Sequence, residues 1–134
     1  MARKREPERS EQGLRNTALS DALQTQDVAA VAFALRHGPV VVPLTGTDPH
    51  DGPLVAEDVW TFRDPSSGEI ALVLFSDESH KPAALPTSVS LQSPDWLRAF
   101  LGVNQDQIAT VLFDLAGPHP MRSTPADLIA ALDA

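Results

Sequence analysis

The sequence predicts an α+β domain: a mixed β-sheet of four to five strands containing an antiparallel hairpin, with helices packed on it. Three observations predict it. Six consecutive apolar residues, Ile70 to Phe75, are rich in β-formers and bounded by turn residues, so they read as a strand covered on both faces. An alternating stretch, Asp58 to Arg63, precedes it across Asp64-Pro65-Ser66-Ser67-Gly68, which is turn chemistry. That pair makes a hairpin. Helical patterns before, between and after the strands supply the covering layer.

Residues 1–15 read as a disordered basic tail and residues 16–134 as one domain. A helix is expected from Thr17 to Leu23, with Leu19, Ala22 and Leu23 on one side. Asp27 is a good N-cap for a second helix ending at His37. Val28, Val31 and Leu35 share one face of it, while Ala30, Phe33 and Ala34 fill much of the other. A helix apolar nearly all round belongs inside a fold. Gly38 suits the C′ position, and Pro39 stops the helix. The first strand is Pro39 to Leu44, followed by a polar loop with two prolines and two glycines.

After the hairpin, Ser76 to Ser88 is irregular and Val89 to Leu91 a short strand. Ser93-Pro94-Asp95 offers an N-cap, a proline at N1 and an acid in the first turn. Trp96, Leu97, Phe100 and Leu101 form the apolar stripe of the helix that follows, which Gly102 ends or kinks. Ala109 to Leu115 is the closing strand, ended by Gly117-Pro118-His119-Pro120. Thr124 caps the last helix, whose buried face is Leu128, Ile129 and Leu132.

Composition narrows the function. With 134 residues and 43% hydrophobic content the chain closes a core without staples. It has no cysteine, which removes disulfides, thiolate metal sites and cysteine nucleophiles. No apolar stretch is long enough to cross a bilayer, and no apolar segment follows the basic start, so a cytoplasmic protein is expected. The formal net charge is −8; beyond residue 15 only five basic residues face fifteen acidic ones. That field repels nucleic acid.

Several segments together resemble the SseB N-terminal-domain family, also called enhanced serine sensitivity proteins. They are NTALSDAL at Asn16 to Leu23, VVVP at Val40 to Pro43, IALVLFSD at Ile70 to Asp77, SPDWLRAFL at Ser93 to Leu101, and VLFDLAGPHPMRSTPADLIAAL near the end. The likeness covers residues 16 to 134. Family members often place asparagine followed by proline where this chain has Asp114-Leu115. The resemblance implies a small cytoplasmic domain with no catalytic residues to carry over.

Candidate chemistry is sparse. Asp48, His50 and Asp51 share a loop and offer two carboxylates and an imidazole to a cation, beside the alternative of a simple Asx/Pro/Gly turn. It is no EF-hand, since position 12 falls on Val59. Ser76, Asp77, Glu78, Ser79 and His80 hold the residue types of a nucleophilic triad. Such close positions are not expected to meet in triad geometry, and no G-x-S-x-G elbow is present, so they read as turn residues. Phosphate-binding loops are absent. Glu57-Asp58 reads as solvated. Trp96 belongs to a core stripe; Trp60 sits on a peripheral strand, where burial is the first reading and anchoring a partner the second. His119 and Arg122, with Pro118 and Pro120, would line a rim with Trp60. The expectation is a non-catalytic interaction or regulatory domain with a protein partner, no cofactor, and a monomeric or weakly dimeric state. The alternative is a metal- or small-ligand sensor built on Asp48–Asp51.

Overall fold

The computed structural model describes residues 15–46, 54–82, 85, 88–115 and 117–134. Among these described residues, four α-helices and six strands follow in the order α1 (Thr17–Thr25), α2 (Val28–His37), β1 (Val40–Pro43), β2 (Thr61–Arg63), β3 (Ile70–Leu74), β4 (Val89–Gln92), α3 (Pro94–Asn104), β5 (Ile108–Phe113), β6 (Met121–Ser123) and α4 (Pro125–Asp133). The fold is α+β. A four-stranded mixed sheet has the order β2-β3-β5-β6, and β1 and β4 form a two-stranded antiparallel sheet.

The expected hairpin is present, with Thr61 opposite Leu72 and Arg63 opposite Ile70. β3 lies between β2 and the parallel strand β5, and four of its five residues are buried. Beyond the hairpin's paired segment, β1 bridges to both strands: Val41 pairs with Phe75 and Leu44 with Val59. The two sheets are thereby stitched together.

The alternation of β3 divides its side chains between two cores. Leu72 and Leu74 join the large core under the helices, with Leu19, Leu35, Leu97, Leu101 and Phe113. Val73 and Phe75 point to the other face, where with Val41 they form a smaller cluster flanked by Trp60, Val89 and Leu112. Helices cover the first face. Beside the second, Pro82 and Leu85 line one wall of a hollow next to the smaller cluster.

Caps fall where the sequence places them. Asp27, Ser93 and Thr124 accept from the backbone N–H groups of Ala30, Trp96 and Asp127. Asn16 does the same for α1, taking the N–H of Leu19 at 3.1 Å.

Four expectations are corrected. First, α2 buries one stripe only: Val31, Ala34 and Leu35 face the core, whereas Phe33 is 57% and Val28 72% exposed. Phe33 lies against the His37 ring (4.3 Å between centroids) with the Arg36 guanidinium 5.9 Å from its centre, so its own helix shelters it. Second, Gly38 has extended backbone, φ −151°, and makes no left-handed cap. Its need is steric: a Cβ there would lie 2.7 Å from Nδ2 of Asn16. Third, Gly102 does not end α3, which runs through it to Asn104. Fourth, β6 was not expected; its three residues are too few for alternation to show. None of the described helices is long and apolar enough to cross a membrane.

Candidate functional site

Two arrangements of side chains stand out, and both lie on or beside β3. The first is polar and sits at the carboxyl ends of the parallel strands. Asp114 follows β5 in the left-handed region, φ 51°, a conformation aspartate tolerates better than most residues. Its carboxylate is almost fully buried. The backbone N–H of Ser76 donates to Oδ1 at 2.8 Å and the Ser76 hydroxyl to Oδ2 at 2.7 Å. His80 Nδ1 is 3.0 Å from the same Oδ2 and 3.3 Å from Ser76 Oγ.

Ser76 and His80 therefore come into contact, with Asp114 from outside the Ser76–His80 run as the acid, but not in triad geometry. The single 3₁₀ turn Glu78–His80, capped by the Asp77 side chain, folds the chain back so that four positions separate two neighbours. The assembly has the members of a hydrolytic triad but not its connectivity. In a triad the serine addresses one imidazole nitrogen and the carboxylate the other. Here both address Nδ1, Ser76 gives its proton to the carboxylate, and the hydroxyl is wholly buried. Such a serine cannot reach a substrate. What the cluster does is tie the end of β3 to the end of β5. The neighbouring Asn16 N–H donates to the Ser76 carbonyl at 2.7 Å, and Arg15 Nε lies 3.2 Å from Asp77 Oδ2. The start of α1 is thus fastened to the same corner.

A signal for this cluster exists in the sequence. Val73-Leu74-Phe75 and Val111-Leu112-Phe113 are the same tripeptide, followed by Ser76 and Asp114 respectively. In the parallel register Leu74 faces Phe113, so Asp114 comes level with Phe75 and one step short of Ser76, within reach of its N–H and hydroxyl.

The second arrangement is apolar and occupies the face of the sheet opposite the helices. A cavity of about 280 Å³ is lined by Trp60, Phe62, Val73, Phe75, Pro82 and Leu115, with Leu85 closing it. Lys81 Nζ donates to the Leu85 carbonyl at 2.6 Å and the Leu85 N–H to the Pro82 carbonyl at 3.0 Å, which holds that wall. Trp60 is half-buried, and its backbone N–H donates to the Pro43 carbonyl. Phe62 and Leu115 remain 41% and 44% exposed. A smaller hollow of about 140 Å³ also has Leu115 in its wall, with Leu112, Pro120, Met121 and Arg122.

The residues singled out on sequence separate into two sets. Trp60 and Arg122 come to the same sheet face, and their hollows adjoin at Leu115. His119 is half-buried in the turn that leads into β6. Asp48, His50 and Asp51 lie outside the described residues. Among the described residues no group of three or more histidine, aspartate or glutamate side chains is placed to hold a metal ion. Trp96 packs at the margin of the large core, stacked on Phe100 and donating its indole N–H to the Leu54 carbonyl at 3.1 Å. Glu57 is exposed, and Asp58 is half-buried with its carboxylate accepting a surface hydrogen bond from the Val55 N–H at 2.9 Å.

A larger cavity, about 650 Å³, lies between α2, α4 and the β5–β6 edge, walled by Val31, Leu35, Phe113 and Leu128. Comparison of the chain with known protein families, with curated proteins and with solved structures finds no match.

Proposed function

We propose that this protein is a non-catalytic cytoplasmic interaction or regulatory domain that docks a protein partner on the sheet face around Trp60. One observation carries the reading: the Trp60 cavity leaves apolar rings and side chains open to solvent on a face that none of the described helices covers. Half-buried tryptophan beside a preformed apolar hollow is the composition of an interface anchor. The Ser76–His80–Asp114 connectivity supports a non-catalytic role, because the one assembled Ser/His/Asp group among the described residues spends its hydrogen bonds on itself. The resemblance to SseB N-terminal domains rests on core pattern and adds no reaction to this reading.

The test is site-specific photo-crosslinking in cells. A photoreactive residue at position 62 or 115 is expected to trap a partner that one at Val103, exposed on α3, does not. Trp60→Ala should remove the trapped species. Equal crosslinking from all three positions would sink the proposal.

A further inference from the structure

The Trp60 face has an order along it that specifies its partner further, on the premise that this face is the docking surface. Val73 on β3 stands opposite Leu112 on β5, and Leu112 opposite Arg122 on β6. Continuing the hairpin register one step beyond Thr61–Leu72 sets Trp60 beside Val73. Residues paired across strands project from the same side of a sheet. Trp60, Val73, Leu112 and Arg122 therefore form one row crossing all four strands. Trp60, Val73 and Leu112 are held by the same apolar cluster. The row runs from an aromatic-walled hollow at one end to a guanidinium at the other.

Arg122 is exposed, and its side chain has no hydrogen-bond or ion-pair partner among the described residues. It is one of only five basic residues beyond residue 15, against fifteen acidic ones. A cation left unpaired in such a field, at the end of an apolar row, is a local complement for a carboxylate. With strands about 4.8 Å apart, the three steps from Trp60 to Arg122 span roughly 14 Å. An extended chain covers that in about four residues.

We infer that the face takes an extended segment of a partner protein lying across the strands, with a large apolar side chain in the Trp60 cavity and an aspartate or glutamate about four residues away on Arg122. Leu115, exposed between the two hollows, is the surface over which the intervening residues pass.

The experiment is selection of a displayed library of twelve-residue peptides on the full chain and on three variants. The wild-type chain is expected to enrich peptides in which a large apolar residue and an acid stand three to five positions apart. Arg122→Glu should weaken those peptides about tenfold or more and select lysine or arginine at the acidic position instead. Trp60→Ala, and Leu115→Glu as the variant least able to disturb the core, should abolish enrichment. Peptides lacking the acid, or unaffected by Arg122→Glu, would overturn the partner's chemistry while leaving the docking face standing. Enrichment that survives both Trp60→Ala and Leu115→Glu would instead overturn the docking face. Sedimentation showing a dimer that Leu115→Glu dissociates would assign the face to a second copy and overturn the inference.

Discussion

Asp114 concentrates more constraint than any other side chain described. It combines a left-handed backbone with a buried carboxylate that makes three hydrogen-bond contacts with two neighbours, Ser76 and His80. Replacing it with alanine leaves Ser76 without two acceptors and keeps the backbone strain. Asp114→Ala is expected to cost about 3–5 kcal/mol in urea unfolding. Asparagine tolerates the same backbone and keeps one acceptor for the Ser76 N–H, so Asp114→Asn should cost less, about 1–2 kcal/mol. Equal losses for the two would show that the carboxylate contacts contribute little. The Ser76 hydroxyl is in turn better understood as a clamp than as a nucleophile.

At the level of elements, Asn16 joins three of them. Its side chain caps α1 and donates to carbonyls of Ala34 in α2 and of Pro39 just before β1, at 3.2 and 2.9 Å. Gly38 makes room for it. Gly38→Ala is expected to destabilise by about 1–3 kcal/mol, and the loss should shrink in an Asn16→Ala background, as read from a double-mutant cycle. Strict additivity would show that the steric contact is not the cause. A second link is the bidentate pair of Arg98 on α3 with Asp133 at the end of α4, at 2.8 and 3.1 Å. The hydrogen bonds from Arg98 hold the Asp133 carboxyl below the ordinary aspartate range. A lowered folded-state value means the pair's contribution is present above that ordinary range and fades as pH falls through the lowered one. Being exposed, the contribution is small. In an NMR titration the Asp133 midpoint should rise toward the ordinary value in Arg98→Ala; no movement would show the pair is not formed.

The same scale explains what the sequence could and could not convey. β3, the hairpin and the capped helices were legible because a buried strand, a turn and an N-cap each write local, repeated patterns. Phe33 misled because periodicity counts apolar residues without knowing which face another element will cover. β6 was hidden by its shortness. In the candidate site, Trp60 was legible as an aromatic on a peripheral strand and Arg122 as a cation beside the Pro118/Pro120 turn, though not as part of a strand. The Ser76–His80–Asp114 cluster left only the repeated Val-Leu-Phe tripeptide as its trace, because 34 and 38 positions separate Asp114 from the other two and strand order alone brings them together.

Across the whole molecule, stability should grade from the shared centre outward. Amides of Leu72, Val73 and Leu74 in β3 and of Val111 in β5 are buried between neighbouring strands and both cores. They should exchange with solvent slowest, near the global unfolding rate. Phe62 and Arg63 on β2 and Arg122 on β6 are exposed on edge strands and should exchange faster. Uniform protection across these strands would mean that the sheet opens only as a unit. The acidic body also sets a whole-molecule expectation for any partner with a carboxylate: recognition at Arg122 is local and works against the overall field, so binding should tighten as salt screens that field.

The parallel pairing of β3 with β5 carries a consequence for how this protein is made. The strand that completes the middle of the sheet is added to the growing chain only after β4 and α3 have been synthesised. Until Phe113 has left the ribosome, β3 has one open edge and the layer above it has no floor. A nascent chain in that state displays the stickiest segment of the molecule beside an unpaired strand edge, the combination that makes incomplete chains prone to aggregate.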